Sequence, residues 1–207
     1  MANKPQGVVR KVRSAPRRAA RPDRRVVRTR RALGRALVDL MVARDFRDIS
    51  VRQLLERAKV GRATFYAHFR NKQDLLLSDT ERFWALFEEH FLARAAGSMR
   101  VAPVRELFAH VADYHAFQHS LTRSGMHEPV YDLLLGHTAR LIERRVAELR
   151  PGAAMTARWR TVTARVLAAA LFEMMRWWLD HGCQPSAQEM DDRFHEIVWN
   201  GVARASG

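Results

Sequence analysis

The chain has 207 residues, with 36 lysines and arginines against 22 acidic residues and a formal net charge of +14. This length allows a small domain and a medium one, each with its own core. The single cysteine, Cys183, excludes a disulfide within this sequence. The apolar runs are too short to span a membrane. We therefore expect a soluble, cytoplasmic protein that does not associate with membranes.

The positive charge is concentrated at the amino-terminal end of the chain. Residues 1–31 contain twelve basic residues and one acidic residue, and residues 32–72 contain nine and four. Residues 73–207 contain fifteen basic and seventeen acidic residues, so they are slightly negative. A polyanion that binds the first third of the chain explains this asymmetry.

Residues 1–27 are rich in arginine and contain three prolines, but they offer few side chains that a core would bury. We therefore expect a disordered basic arm. Arginines between Arg10 and Arg31 are suited to the narrow minor groove of A·T tracts, where the negative potential is strongest. A tail that is only solvated accounts for the composition equally well, so both interpretations stay open.

Two short helices joined by a tight corner are predicted within residues 49–77, behind a first helix over residues 28–44. Ser50 lies three residues before Gln53, and the two residues form a capping box at the start of the second helix. Small residues and a glycine interrupt that helix at 58–61, which allows two helices to cross closely. This arrangement is typical of a helix-turn-helix unit.

The helix that follows the corner, predicted over residues 62–69, has two different faces. Phe65 and Phe69 are four residues apart and point inward. The outer face carries small and polar side chains, namely Arg62, Ala63, Thr64, Tyr66 and His68. A helix with such an exposed face fits the major groove of DNA. Asn71 then caps a long connecting helix over about residues 72–94.

Residues 60–76, VGRATFYAHFRNKQDLL, resemble the DNA-binding signature of the TetR family, the tetracycline-repressor-like transcriptional regulators. The similarity extends over about residues 28–77 and includes motif order, spacing and the aromatic pair. It implies a homodimer with an amino-terminal DNA-binding domain and a helical domain that dimerises and binds a small effector. Lys59 departs from the family pattern, in which glycine is common. If the corner requires a positive φ, lysine costs about 1 kcal/mol there.

DNA contacts divide into those made to bases and those made to the phosphate backbone. Residues 62–64 begin the recognition helix, where arginine pairs with guanine and small side chains meet thymine methyl groups. The resemblance assigns phosphate contacts to Tyr66, His68 and Lys72. The complete predicted set is Ser50, Arg52, Gln53, Gly61, Arg62, Ala63, Thr64, Tyr66, His68 and Lys72. Alternatively, the tyrosine and the histidine only complete the small core.

The remaining sequence predicts further helices and no alternating strand pattern, so the fold class is all-α. Prolines and glycines separate helices at about 103–120, 128–149, 155–181 and 186–203. We expect three parts along the chain: a disordered arm at 1–27, a helix-turn-helix DNA-binding domain at 28–77, and a helical effector-binding and dimerisation domain at 78–207.

Helices 155–181 and 186–203 are predicted to form a dimer interface. The first is apolar on most of its circumference, so it must be covered on both sides. Pairing the two helices with their symmetry mates gives a four-helix bundle. The alternative is a monomer that buries both helices in its own core.

A small-molecule effector is expected in the carboxy-terminal domain, and an apolar or aromatic compound is the matching class. The candidate lining residues are Phe87, Phe91, Phe108, Tyr114, Phe117, Met126, Tyr131 and Met174. Plain core packing is the alternative for each of them.

Histidines one helical turn apart, His115 and His119, have a spacing that suits a metal ion. No carboxylate or cysteine completes a ligand set, so we predict neither a metal site nor a cofactor. The sequence also contains no nucleophile elbow, phosphate loop or paired-carboxylate motif, and an enzyme is therefore not expected.

The predicted function is a dimeric repressor that binds double-stranded DNA at a palindromic operator and leaves it when an effector binds. One alternative is an effector-independent DNA-binding protein that uses its arginine-rich arm. Another is an enzyme or carrier that keeps a helical cavity and recognises no operator.

Overall fold

The computed structural model describes residues 24–113, 121, 125–151 and 155–204. Within these ranges the chain forms α-helices and one short 3₁₀ turn, Phe46–Asp48, and no β-strand occurs there. The all-α prediction is confirmed. The helices are α1 (Arg24–Ala43), α2 (Val51–Ala58), α3 (Arg62–Tyr66), α4 (Lys72–Ala95), α5 (Val104–Asp113), α6 (His127–Leu149), α7 (Ala157–Asp180) and α8 (Ala187–Arg204).

Two helix boundaries differ from the prediction by three or four residues, and most of the others agree within two. Helix α1 begins four residues early, so residues 24–27 are helical and do not belong to a disordered arm. The half-buried Val26 and Val27 extend its apolar face by one turn. Helix α3 ends three residues early, because the backbone N–H of His68 donates to the carbonyl of Phe65 at 2.9 Å in a tight turn. The rest of the predicted arm lies outside the described residues.

Helices α1 to α3 and the first turn of α4, here called the head, share one core. Phe46, Leu54 and Phe65 are buried at its centre. The same cluster also contains three residues that come later in the chain, Leu121, Met126 and Val130. The core of the head is therefore continuous with the beginning of α6.

Helices α4 to α8 enclose the second core. Helix α6 packs along α7, and α5 packs against α8. Helix α4 reaches α6 through the buried Trp84 and Leu141. The rings of Phe108 and Trp178, whose centroids are 5.0 Å apart, join α5 to α7. None of the helices in the described ranges has the length and apolarity needed to cross a membrane.

Charged side chains fix the segment between α4 and α5. Arg100 donates to both carboxylate oxygens of Glu106, at 3.0 and 2.6 Å, and to Asp191 of α8 at 2.7 Å. Arg145 of α6 donates to the carbonyls of Ala95, Ser98 and Arg100. These bonds hold α4, α5, α6 and α8 in one arrangement.

Candidate nucleic-acid interface

The predicted capping box is present at the start of α2. The hydroxyl of Ser50 accepts from the backbone N–H of Gln53 at 3.2 Å, and the backbone N–H of Ser50 donates to the Gln53 side chain at 2.9 Å. Arg52, between them, is exposed and lies 3.8 Å from Glu56. The first turn of α2 therefore offers one exposed guanidinium beside two polar side chains that already bond to each other.

The corner between α2 and α3 has the strained conformation that the family pattern suggests. Lys59 has φ 54° and ψ 43°, in the left-handed region, and its backbone N–H bonds to carbonyls at the end of α2. Gly61 precedes α3 in an extended conformation, without a side chain to cap the helix. Both residues are exposed on the outside of the corner.

Helix α3 is anchored in the core by its aromatic residues, and its first turn is exposed to solvent. Phe65 and Phe69 are 0% and 4% exposed, with ring centroids 5.7 Å apart. Arg62, Ala63 and Thr64 are all exposed, as a base-contacting surface requires.

The two rings predicted to contact phosphate have different surroundings. Tyr66 is half exposed, and its ring packs edge-on against that of Phe65. The guanidinium of Arg62 lies over the Tyr66 ring, 5.7 Å from its centroid. His68 is partly buried beside Phe69, with ring centroids 6.3 Å apart. Tyr66 is thus the more accessible of the two.

Lys72 has a role that its sequence position does not reveal. Its ammonium donates to the backbone oxygens of Phe46, Arg47 and Ile49, at 2.6, 3.0 and 2.7 Å. An ammonium group has three N–H donors, so these bonds occupy all of them. The predicted phosphate contact would require at least one of these bonds to be exchanged.

A surface groove of about 600 Å³ lies between α2 and α3. Val51, Leu55 and Val60 contribute its apolar part. Three exposed cations border it, namely Arg52, Lys59 and Arg62, against one carboxylate, Glu56, so the border is net positive. The arrangement gives this side of the head a positive rim next to the exposed first turn of α3.

Two family models match the chain. One describes bacterial regulatory proteins of the tetR family and covers residues 35–78; the other describes a transcriptional regulator C-terminal region and covers residues 103–200. The chain belongs to the TetR family. Its helix-turn-helix is therefore the DNA-binding unit of a transcriptional regulator.

Individual relatives agree with this assignment. The chain is 39% identical over 69 residues to the HTH-type transcriptional regulator YxbF of Bacillus subtilis, and 30% identical over 93 residues to the dhaKLM operon transcriptional activator DhaS of Lactococcus lactis. These segments are 33% and 45% of this chain but only 18% and 39% of those two proteins. A solved structure of a dihydroxyacetone kinase operon activator DhaS shares the fold, with a TM-score of 0.64 and 18% identity over 84% of this chain and 96% of that chain.

Most candidate effector residues of this TetR-family chain are divided among three clusters, two of which share Phe87. Phe108 is fully buried in the second core, and Phe87 and Met174 pack against that core. Phe91 is buried in the cluster between α4 and α6, against which Phe87 also packs. Met126 belongs to the core of the head. Phe87 and Tyr131 are half-buried, and Met174 lines a groove between α7 and α8. Tyr114 and Phe117 lie outside the described residues.

Phe83, Phe87 and His110 form an aromatic stack that was not predicted from the sequence. The ring of Phe83 lies between those of Phe87 and His110, with centroid distances of 5.4 and 4.6 Å. Burial lowers the pKa of His110, although Asp113 partly opposes this. The spacing of Phe83 and Phe87 by one helical turn was the signal in the sequence.

Within the described ranges, no group of three or more His, Cys, Asp or Glu side chains is placed to hold a metal ion. His115 and His119, the predicted pair with metal-ligand spacing, lie outside those ranges.

Proposed function

We propose that the protein is a dimeric repressor that binds a palindromic operator through α3 of each subunit and leaves it when a small molecule binds the carboxy-terminal domain. The observation that carries the proposal is the orientation of α3. Phe65 and Phe69 anchor this short helix, while Arg62, Ala63 and Thr64 remain exposed at its start. Such a regulator acts on the chromosome, so we also propose a cytoplasmic location.

The exposed faces of α7 and α8 support a homodimer. Along α7, Trp159 and Val166 are each 62% exposed, and Trp177 is 47% exposed. Ile197 of α8 is half exposed beside a groove of about 960 Å³ between the two helices. Exposed apolar side chains of this kind are stabilised when a second copy covers them. The two recognition helices of the dimer would then meet successive major grooves.

The shared core of the head supports a route from effector to DNA. Met126 and Val130, at the start of α6, are buried against the head. Helix α4 also runs from the head to the cluster between α4 and α6, where Trp84 and Phe91 are buried. A ligand that shifts α4 against α6 would move both attachments at once and change the spacing of the two heads. A coupling free energy of about 1–3 kcal/mol is enough for a useful switch.

Selection of binding sites from random duplexes with the purified protein tests the operator proposal. We expect a palindromic sequence whose half-sites are about one helical turn apart. Arg62→Ala should relax the preference at one base pair of each half-site, at a cost of about 1–3 kcal/mol. Recovery of duplexes without any sequence preference would contradict the proposal.

The dimer is tested by placing a charge on its proposed interface. Val166→Glu should produce monomers in light scattering and weaken operator binding, because one head contacts only one half-site. Val42→Glu is the matched control, since Val42 is a half-exposed valine on α1. If Val166→Glu remains a dimer at all concentrations, as Val42→Glu should, this interface is excluded.

Transcription from a promoter that contains the selected operator tests the direction of regulation. We expect the protein to lower transcript levels, and an apolar or aromatic effector to restore them. The relative DhaS is named an activator, so activation is the specific alternative outcome. A rise in transcript on addition of the protein would replace repression by activation and leave the operator proposal intact.

A further inference from the structure

The outer face of α1 carries a row of four arginines. They occupy positions i, i+4, i+7 and i+11, which lie on one side of a helix over about 16 Å. All four side chains are exposed. The residues are Arg24, Arg28, Arg31 and Arg35, here called the α1 stripe.

The charge of the α1 stripe is not compensated by carboxylates of the described residues. None of its arginines forms an ion pair there, and Arg35 instead donates to the backbone oxygen of Arg31 at 3.4 Å. The only acidic residue of α1, Asp39, pairs with Arg57 of α2 at 2.7 Å. In the carboxy-terminal domain, by contrast, several arginines meet carboxylates, as in Arg144–Glu88, Arg176–Glu173 and Arg193–Glu196.

The first turns of α1 lie close to the recognition segment. The guanidinium of Arg30 lies over the ring of Phe69, 5.4 Å from its centroid. Phe69 ends the aromatic pair that anchors α3, and Arg30 stands between two members of the stripe in the chain. Arg30 is half-buried and lies roughly 100–160° around the helix from Arg28 and Arg31. The contact therefore places the first turns of α1 next to the end of the recognition segment, while the stripe itself lies on the exposed side of those turns.

We propose that the α1 stripe binds phosphates of the operator duplex outside the base pairs that α3 contacts. The inference rests on the proposed operator binding and extends it to a longer stretch of backbone. A row of about 16 Å spans the rise of roughly five base pairs. A phosphate backbone supplies the regularly spaced negative charges that such a row requires.

The helical conformation also separates these arginines from the predicted minor-groove arm. An α-helix with its side chains is about 10–12 Å wide, whereas the minor groove of B-DNA is about 6 Å wide. Arginines fixed on α1 therefore contact the backbone at the groove edge and do not enter the groove as an extended arm would. Their contribution to binding should be independent of base sequence.

The test compares two double variants of the full-length protein. Arg28→Gln with Arg31→Gln removes two charges from the stripe, and Arg94→Gln with Arg140→Gln removes two exposed arginines from the carboxy-terminal domain. Glutamine keeps helix propensity close to that of arginine, so both variants should melt like the wild type. Fluorescence anisotropy then gives the affinity for the selected duplex and for a mixed-sequence duplex, between about 50 and 300 mM potassium chloride.

The stripe variant should bind both duplexes more weakly, by at least roughly tenfold near 100 mM salt, with a log–log salt slope shallower by about 0.9 for each lost phosphate contact. The ratio of the two affinities should stay at the wild-type value, and the control should match the wild type throughout. An unchanged salt slope in the stripe variant would overturn the inference. So would loss of binding to anionic phosphatidylserine vesicles with DNA binding intact, which assigns the stripe to a membrane surface. If the wild-type protein binds the selected and the mixed-sequence duplex equally well, the operator proposal is contradicted. The salt slopes of the two variants would still test the stripe.

Discussion

The ammonium group of Lys72 lies 4.6 Å from the centroid of the Phe46 ring and donates a hydrogen bond to the backbone oxygen of the same residue at 2.6 Å. Phe46 begins the turn before α2, and Lys72 begins α4, so the pair joins the connecting helix to the helix-turn-helix. Burial lowers the pKa of Lys72, and the nearby Asp48 partly opposes this. The geometry favours a positioning role for Lys72 over the predicted phosphate contact.

Lys72→Met should lower the free energy of unfolding by about 1–3 kcal/mol, because three backbone carbonyls lose a charged donor. Urea denaturation measures this loss. The salt slope of DNA binding should stay unchanged once the protein is fully folded. Lys59→Met is the control for stability, since Lys59 is exposed and its side chain holds no comparable set of carbonyls. If Lys72→Met instead has a shallower salt slope of DNA binding and unchanged stability, Lys72 contacts a phosphate.

Lys59→Gly should stabilise the protein by about 0.5–1 kcal/mol, because glycine adopts the left-handed conformation without the steric cost that lysine carries. Thermal melting measures the gain. Lys59→Ala removes the same charge but keeps the backbone strain, so it should show no gain. If both variants lose DNA affinity equally, the side chain contacts a phosphate; a loss confined to glycine would mean that the rigid corner matters instead.

Local signals allowed the head to be predicted from the sequence. The capping box of Ser50 and Gln53 and the inward pair Phe65 and Phe69 depend only on neighbours within one helical turn, and both are present. The bonds of Lys72 to backbone carbonyls were not predicted, because their acceptors lie more than twenty residues away in the sequence. Pairings at such separation depend on how helices pack, which residue spacing does not encode.

The effector candidates illustrate the same limit of local patterns. Aromatic and methionine side chains mark buried surface, but the sequence does not say which core receives them. Met126 was expected at a ligand site and packs in the core of the head. The stacking of Phe83 on His110 brings together one residue of α4 and one of α5. It therefore depends on tertiary packing and could not be predicted from local sequence.

Acid should weaken the ionic cluster that ties α5 to α8. Burial raises the pKa of Asp191, but hydrogen bonds from His195 and Arg100 lower it by more. The pKa of Asp191 is therefore below its usual value of 3.8. The Glu106 pKa is likewise below 4.5, because bonds from Arg100 outweigh burial. Since both folded pKa values are below the unfolded ones, this stabilisation is complete above about pH 4.5 and is lost as the pH falls through the folded values.

Asp191→Asn should therefore cost about 2–3 kcal/mol at neutral pH and flatten the decline of unfolding free energy in acid. Urea denaturation at several pH values measures both effects. Glu173→Gln is the control, because its ion pair with Arg176 is exposed on α7 and contributes little in water. An acid decline as steep in Asp191→Asn as in the wild type would mean that other groups cause it.

Thr138→Val should stabilise the protein by about 1 kcal/mol. The Thr138 side chain is fully buried, and its hydroxyl has no hydrogen-bond partner among the described residues. Valine has nearly the same shape and avoids the cost of an unpaired polar group. Thr80→Val is the comparison, because the Thr80 hydroxyl donates to the Leu76 carbonyl at 2.9 Å. Equal effects of the two substitutions on the melting temperature would refute this account.

Gly34→Ala should weaken the contact between α1 and α4. A Cβ atom at Gly34 would lie 2.6 Å from both carboxylate oxygens of Asp79, and Asp79 is held by an ion pair with Arg82. We expect a loss of about 1–2 kcal/mol from the forced displacement. In the double variant with Asp79→Ala the clash is absent, so the two costs should not add. Because α4 leads from the head into the second core, the single variant should also alter operator affinity. Additive stability losses in the double variant would show that the close approach of Gly34 to Asp79 does not set the spacing of α1 and α4.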